Sequence, residues 1–331
     1  MRRILIWIGI ALLFLAGAAF LAVRFTPWPG VLLIRYAFGQ GDAQAQSLLE
    51  KHIPPGIVTR TDLAYGPGPD DHFDVSLPPD TTEPLPLIIW VHGGAWIAGS
   101  KDGVTNYLKV LAGQGFATIA VEYSTGFGST YPTPVIQVNA ALRHITANAP
   151  ELGVDPDRLI LAGDSAGAQI AAQTALLLTN PTYAQTMQIE PGIEASQLSG
   201  VILASGAYDM QSIDFDGDWA WFLNTVLWAY TGAKDFLENE KFELASVQQF
   251  VSPTFPPAYI TSGNGDPLEP QARRLAASLV QFGVPVTSLF FPAEHEPAQP
   301  HEFQFNLDTP EGQQAFDGIV DFAHTRFTPA R

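Results

Sequence analysis

Residues 159–171 read LILAGDSAGAQIA: an apolar run, a Gly-Asp-Ser-Ala-Gly turn, and an apolar helical pattern. A strand buried on both faces that passes directly into a helix must reverse within Gly163–Gly167. Such a turn leaves Ser165 at its tip in a strained backbone conformation, with its hydroxyl at the positive end of the following helix. A serine acting only as a helix cap would need no glycine at both offsets. With 29 glycines in the chain, Gly-x-Ser-x-Gly by itself is a weak signal, and the strand–turn–helix context gives it force. Ser165 is therefore the candidate nucleophile.

The surrounding chain has a matching rhythm. Apolar runs at 72–77, 85–91, 116–123, 158–163, 200–205, 257–263 and 286–291 are mostly continuous rather than alternating, the mark of strands covered on both faces. Helical patterns at 138–149, 166–178 and 269–283 lie between them, and a further helix starts near Asp308-Thr309-Pro310. The alternation predicts an α/β fold with a mostly parallel central sheet and helices on both faces. Residues 208–251 interrupt it with DWAWFLNTVLWAYTG at 218–232, and are expected to form a helical, aromatic-rich cap over the carboxyl edge of the sheet. Trp219, Trp221 and Phe222 in that insertion, together with Trp96, are the candidate substrate-binding residues.

Ile4–Val23 contains no charge and is long enough to span a bilayer. Ala16-Gly17-Ala18 could serve as a cleavage site, but the apolar run continues past it, which favours an uncleaved anchor over a signal peptide. The chain is thus expected to divide into a transmembrane helix (1–25), a membrane-proximal linker or helix (26–60), and a catalytic domain (61–331). Arg2 and Arg3 favour a cytoplasmic N-terminus against the pull of Arg24 and Arg35, so the expectation is a single-pass protein of the cell membrane with its domain on the extracytoplasmic side. The apolar patch Val31–Phe38 is too short to span; it either lies in the interface or packs on the domain.

Four of the 16 basic residues fall within the first 35 positions, and no acidic residue precedes Asp42, so 12 basic residues face 33 acidic ones in the remainder. Such a domain repels nucleic acid and anionic head groups, and a neutral small molecule suits it better. The absence of cysteine excludes disulfides, a thiolate nucleophile and thiolate metal sites, and no histidine pair has the helical spacing of a zinc site, so no metal is expected.

Acyl transfer by a serine requires a base, a carboxylate that orients it, and N–H donors aimed at the developing oxyanion. VHGGAW (91–96) follows a strand end, and its backbone N–H groups at Gly93 and Gly94, with that of Ala166, are the candidate donors; Ala95 could replace one glycine. His92 is expected to brace this loop. Asp266, in the loop after the strand at 257–263, is the candidate acid, with Glu269 as its substitute. His295 and His301 both lie in the final loop, AEHEPAQPHEFQF. His301 is preferred because Phe303 can anchor the loop beneath it, and His324 is expected to be a solvated helix-end residue.

Together, HGGAW (92–96), YPTP (131–134), DPDRLILAGDSAGAQIA (155–171), GNGDP (263–267) and HEF (301–303) resemble the α/β-hydrolase superfamily, and within it the hormone-sensitive-lipase-like carboxylesterase branch. The resemblance implies the α/β-hydrolase fold and hydrolysis of carboxylic esters through an acyl-enzyme, without a cofactor. It assigns Ser165 as nucleophile, His301 as base, Asp266 as its partner, and Gly93, Gly94 and Ala166 as the oxyanion hole. Two departures bear on substrate class. Ala95-Trp96 stands where the family has a third glycine, a pattern shared with kynurenine-formamidase-like and cell-wall acetyl or feruloyl esterase relatives, and VEYSTGFGSTYP (121–132) replaces an arginine-leucine-containing stretch. Amide or peptide hydrolysis on the same triad, and a non-catalytic binding protein on the same fold, are the rival readings.

Overall fold

A computed structural model of the chain describes residues 2–126, 129–213 and 215–328; Phe127 and Gly128 of the 121–132 stretch, Asp214 of the insertion and residues 329–331 lie outside it. Eight strands form one sheet: β1 (Val58–Ala64), β2 (His72–Leu77), β3 (Leu85–Val91), β4 (Ala117–Val121), β5 (Val154–Asp164), β6 (Leu198–Ala204), β7 (Ala258–Ser262) and β8 (Val286–Phe290), in the order β1-β2-β4-β3-β5-β6-β7-β8. β1 and β2 pair antiparallel, as do β2 and β4; every pair from β4 to β8 is parallel. The helices are α1 (Arg2–Phe25), α2 (Trp28–Leu49), α3 (Thr105–Ala112), α4 (Thr133–Ala147), α5 (Ala149–Leu152), α6 (Ser165–Thr179), α7 (Pro181–Met187), α8 (Ala220–Thr231), α9 (Glu240–Glu243), α10 (Glu269–Gln281) and α11 (Pro310–Phe327).

The continuous apolar runs arise because each central strand feeds two cores. Leu87, Ile89 and Val91 of β3, with Leu159 and Leu161 of β5, face a core closed by α4, α6 and α10. The intervening Ile88, Trp90, Ile160 and Ala162 face a second core closed by α3 and α11. Period-two alternation of side chains therefore fills both faces with aliphatic residues, which leaves no polar face to read.

β1 coincides with none of the apolar runs from which the strands are expected. Its residues VTRTDLA are largely exposed at the sheet edge, and the register shifts between Arg60 and Leu63, where Asp62 takes φ +55°. A solvated, bulged edge strand needs little apolar surface and so carries little periodic signal.

The segment after α1 is the helix α2, docked on the domain through Val31, Ile34 and Leu49. Arg35 on this helix donates to the carbonyl oxygens of Ile97 and Thr125. The insertion after β6 is built around α8, which meets α2 through Phe38 and Phe222, their rings 6.1 Å apart. α1 stands apart, with none of its apolar window buried against the rest of the chain.

The register of β3 with β5 places Val91 opposite Gly163, so that the loop after β3 begins beside the turn carrying Ser165. α6 crosses this point at Gly167, where an added Cβ would lie 2.0 Å from the Val91 carbonyl oxygen and 2.4 Å from that of His92. Backbone on both sides leaves no room to relax. Gly167→Ala should destabilise the protein by about 3 kcal/mol or more, the upper end of overpacking costs. A thermal-unfolding midpoint equal to that of the parent would show that the contact is not tight.

Candidate active site

The chain leaves β5 at Asp164 in an extended conformation and enters α6 at Ser165, whose φ of +49° lies in the left-handed region that L-residues avoid. This turn lifts the Ser165 hydroxyl clear of the sheet at the N-terminus of α6. The other groups converge on it from neighbouring loops at the carboxyl ends of the strands, where open α/β sheets place their ligands.

His301 Nε2 lies 2.9 Å from Ser165 Oγ, and His301 Nδ1 lies 3.0 Å from Asp266 Oδ2. Asp266 is buried, and it accepts further bonds from the Ser262 hydroxyl (2.8 Å) and the Leu268 N–H (2.9 Å). Burial pushes its pKa upward, but the bond and charge of His301 and these two donors outweigh it, leaving the carboxyl below its ordinary value. A carboxylate held ionised in this way fixes the Nδ1–H tautomer and leaves Nε2 free to accept the serine proton.

The competing candidates are engaged elsewhere. His295 Nε2 is 3.0 Å from Glu311 Oε1 on α11, and its ring stacks on Phe291. Glu269 pairs with Arg273 one turn along α10. His324 is exposed near the end of α11, its ring against Phe116.

The loop after β3 winds through three successive positive φ values, +114° at Gly94, +53° at Ala95 and +59° at Trp96. The Gly94 carbonyl accepts the N–H groups of Ile97 (3.2 Å) and Ala98 (2.9 Å), closing the turn. Gly93, Gly94, Ala95 and Ala166 all border the cavity that holds Ser165. His92 braces this loop from beneath: its Nδ1 donates to the Gly93 carbonyl (2.7 Å), its Nε2 meets Glu122 at 3.1 Å, and its ring stacks on Tyr123 at 4.2 Å. Burial opposes protonation of His92, yet the Glu122 bond and charge prevail and raise its pKa, while Glu122 is lowered. His92 is thus spent on bracing the loop through Gly93 and Glu122.

Sequence reasoning missed a group of carboxyls beside the nucleophile. The side chains of Asp164 and Glu302 lie together, Trp90 Nε1 donates to Asp164 Oδ1 at 2.6 Å, and Glu302 Oε1 stands 3.7 Å from His301 Nε2. The pair occupies the space where a side chain on Gly93 would project: a Cβ there would be 2.2 Å from Asp164 Oδ2 and 2.8 Å from Glu302 Oε1. Burial, followed by the charge of Glu302 and the hydrogen bond with it, raises the Asp164 pKa well above the carboxylate range. Glu302 is pushed up to about 7 by burial, against the bond from Asp164 and with the charges of Asp42 and Asp266. Both carboxyls thus hold their protons more tightly than ordinary carboxylic acids do. The signals available in sequence were the Asp preceding Ser165 and the Glu following His301, neither of which announces a partner.

The cavity has a volume of about 1090 Å³, and its lining is mostly apolar. Trp219, Trp221 and Phe222 border it from the cap side, and Leu33, Ala37, Phe38 and Asp42 border it from α2. Trp96 also contributes to the wall, but its indole N–H is committed to Gln169 Oε1 (3.0 Å) and its ring to Tyr230 (5.2 Å), so it supports the wall more than it faces the opening.

Sheet order, strained serine turn and converging loops define the α/β-hydrolase fold. The chain belongs to the BD-FAE family, whose sequence model matches residues 73–279. It is 27% identical over 237 residues to the esterase LipQ of Mycobacterium tuberculosis, covering 69% of this chain and 54% of that protein. It is also 27% identical to the carboxylesterase NlhH of the same organism, covering 88% of each. The chain spans about half the length of the first curated relatives it matches (54%, 51% and 55%). Among solved structures, esterase B from Lactobacillus Rhamnosis superimposes with a TM-score of 0.76 at 20% identity, over 90% of this chain and 96% of that one. These esterase relatives set the chain in the carboxylesterase branch of the fold.

Glu302 keeps its proton to about pH 7 in the fold, whereas an ordinary glutamate releases it near 4.5. Between these values the folded state binds more protons than the unfolded one, so this residue's contribution to stability falls as pH rises through the window. Glu302→Gln removes the charge, and its unfolding midpoint should decline less steeply than the parent's from about pH 5 to about pH 7. Parallel pH profiles for the two proteins would contradict the raised pKa of Glu302.

Proposed function

We propose that this protein is a serine hydrolase of neutral carboxylic esters, held at the membrane by α1. The observation that carries the reading is the hydrogen-bonded line from Ser165 Oγ through His301 to Asp266, at 2.9 and 3.0 Å. The names of its esterase and carboxylesterase relatives point the same way.

In this reading His301 Nε2 takes the Ser165 proton as Oγ attacks the ester carbonyl, and Asp266 stabilises the imidazolium that forms. The N–H groups of Gly93, Gly94 and Ala166 hold the tetrahedral oxyanion, with Ala95 able to stand in for one glycine, and the α6 N-terminus adds its dipole. Collapse expels the alcohol, protonated by His301. Water, activated by the same imidazole, then releases the acid and restores Ser165. No step calls for a cofactor. The apolar walls formed by Trp219, Trp221 and Phe222, with Trp96 behind them, suit a hydrocarbon chain.

α1 is a 24-residue helix with a span of mean hydropathy 2.7 and with no part of that span buried, which suits a membrane anchor. Arg2 and Arg3 support a cytoplasmic N-terminus and a single-pass topology, with the catalytic domain on the extracytoplasmic side.

The test is intact-mass analysis after a fluorophosphonate probe, alongside hydrolysis of p-nitrophenyl butyrate. One adduct is expected on the parent and none on Ser165→Ala. His301→Gln should lower kcat by roughly a thousandfold or more, whereas His295→Gln should stay within about threefold of the parent. An adduct that survives Ser165→Ala, or a His301→Gln protein of unchanged kcat, would overturn the assignment.

A further inference from the structure

We infer that the mouth of the cavity lies against the bilayer and that the ester is drawn from the membrane itself, as a lipid-like acyl ester, rather than from solution. This deepens the hydrolase reading and rests on it. The argument begins with the chain path. α1 ends at Phe25 and α2 starts at Trp28, so the membrane-length helix runs almost directly into a helix that forms one wall of the cavity. The junction is pinned to the cap. Lys234, just beyond α8, donates its ammonium to the Arg24 carbonyl at 2.9 Å and lies 4.4 Å from the centre of the Trp228 ring on α8. The point where the chain leaves the span is thereby tied to the other apolar wall of the cavity.

The surface between these two walls is unusually apolar for one facing water. Leu32, Leu33 and Tyr36 on the first turns of α2 are 57%, 61% and 70% exposed, and Trp219 and Trp221 at the cap are each 57% exposed. Of these, Leu33, Trp219 and Trp221 also border the cavity, so the exposed patch is the rim of the opening. Tryptophan and tyrosine beside leucine are the side chains that settle at the head-group level of a bilayer. Charge selects the lipid. The chain carries a formal net charge of −17, which opposes an anionic surface and favours zwitterionic or neutral lipid. Adsorption of this rim would let a long acyl chain slide from the membrane core into an apolar cavity without exposing its methylenes to water.

The chain has no cysteine, so single-cysteine variants can be labelled cleanly. The full-length protein is reconstituted in phosphatidylcholine vesicles with a nitrobenzoxadiazole fluorophore on Leu32→Cys. The control carries it on Val280→Cys, an exposed position near the end of α10 farthest from the cavity, about 9 Å along that helix beyond Arg274, the last of its residues to border the cavity. The Leu32 label should emit to the blue and be quenched by nitroxide-bearing lipid, while the Val280 label should behave as in water. In parallel, Leu32→Gln/Tyr36→Gln is assayed on p-nitrophenyl butyrate and on a long-chain diacylglycerol in the vesicles. The butyrate rate should be unchanged. The diacylglycerol rate should fall at least about tenfold, the factor corresponding to about 1.4 kcal/mol of lost apolar burial.

A water-like Leu32 label, or a double variant that loses both activities equally or loses neither, would overturn the inference. Hydrolysis of butyrate but not of diacylglycerol by the parent would overturn it while leaving the hydrolase reading intact. Failure to hydrolyse either ester or to take up the fluorophosphonate would remove both.

Discussion

The contact on which the site depends is the approach of α6 to the end of β3 at Gly167. Backbone meets backbone there, with the Val91 carbonyl in the space that any side chain would occupy. Because β3 and β5 pair with Val91 opposite Gly163, this one contact sets the loop after β3 and the turn at Ser165 side by side. The strained φ of Ser165 persists because strand pairing below and helix packing above determine both ends of the turn. Every other active group is then placed relative to a rigid pair of backbone segments. His301 reaches Ser165 from the last loop, where Glu302 takes φ +59° and donates its N–H to Ser205 Oγ at 3.2 Å.

Charge within the site is layered. Asp266 is held below its ordinary pKa by His301, His92 and Glu122 are paired beneath the Gly-Gly loop, and Asp164 and Glu302 are both raised above theirs. Asp164, Asp266 and the half-buried Glu302 thus sit near one histidine without three full negative charges. An additional full negative charge beside Ser165 would oppose the oxyanion of the proposed reaction, and the raised pKa values of Asp164 and Glu302 keep that field small. The price is a fold less stable at alkaline pH than its core would allow. Gly93 is small because these two carboxyls need its space, which links the electrostatics of the site to the geometry of the loop.

The apolar cavity belongs as much to the N-terminal helices as to the sheet. α8 supplies aromatic residues from the insertion, and α2 supplies the facing wall from a segment more than a hundred residues earlier in the chain. Only the packing of α2 on α8 closes the space, so the cavity exists as a property of two elements that share no sequence motif.

Much of this was legible in the chain. The parallel strands, the tight turn at Ser165 and the Gly-Gly loop follow from local patterns, because steric limits on tight turns and the period of buried strands act over a few residues. β1 escaped notice because an exposed, bulged edge strand needs no apolar run. His301 and His295 could be ranked but not separated, since both lie in one loop and only the docking of α11 assigns Glu311 to His295. The sequence by itself determined the sheet, the serine turn and the kinds of groups around it. Tertiary structure alone decided which groups meet, joined Asp164 to Glu302 across 138 positions, and made α2 a wall of the cavity, because these contacts depend on where distant segments pack and not on what any segment prefers.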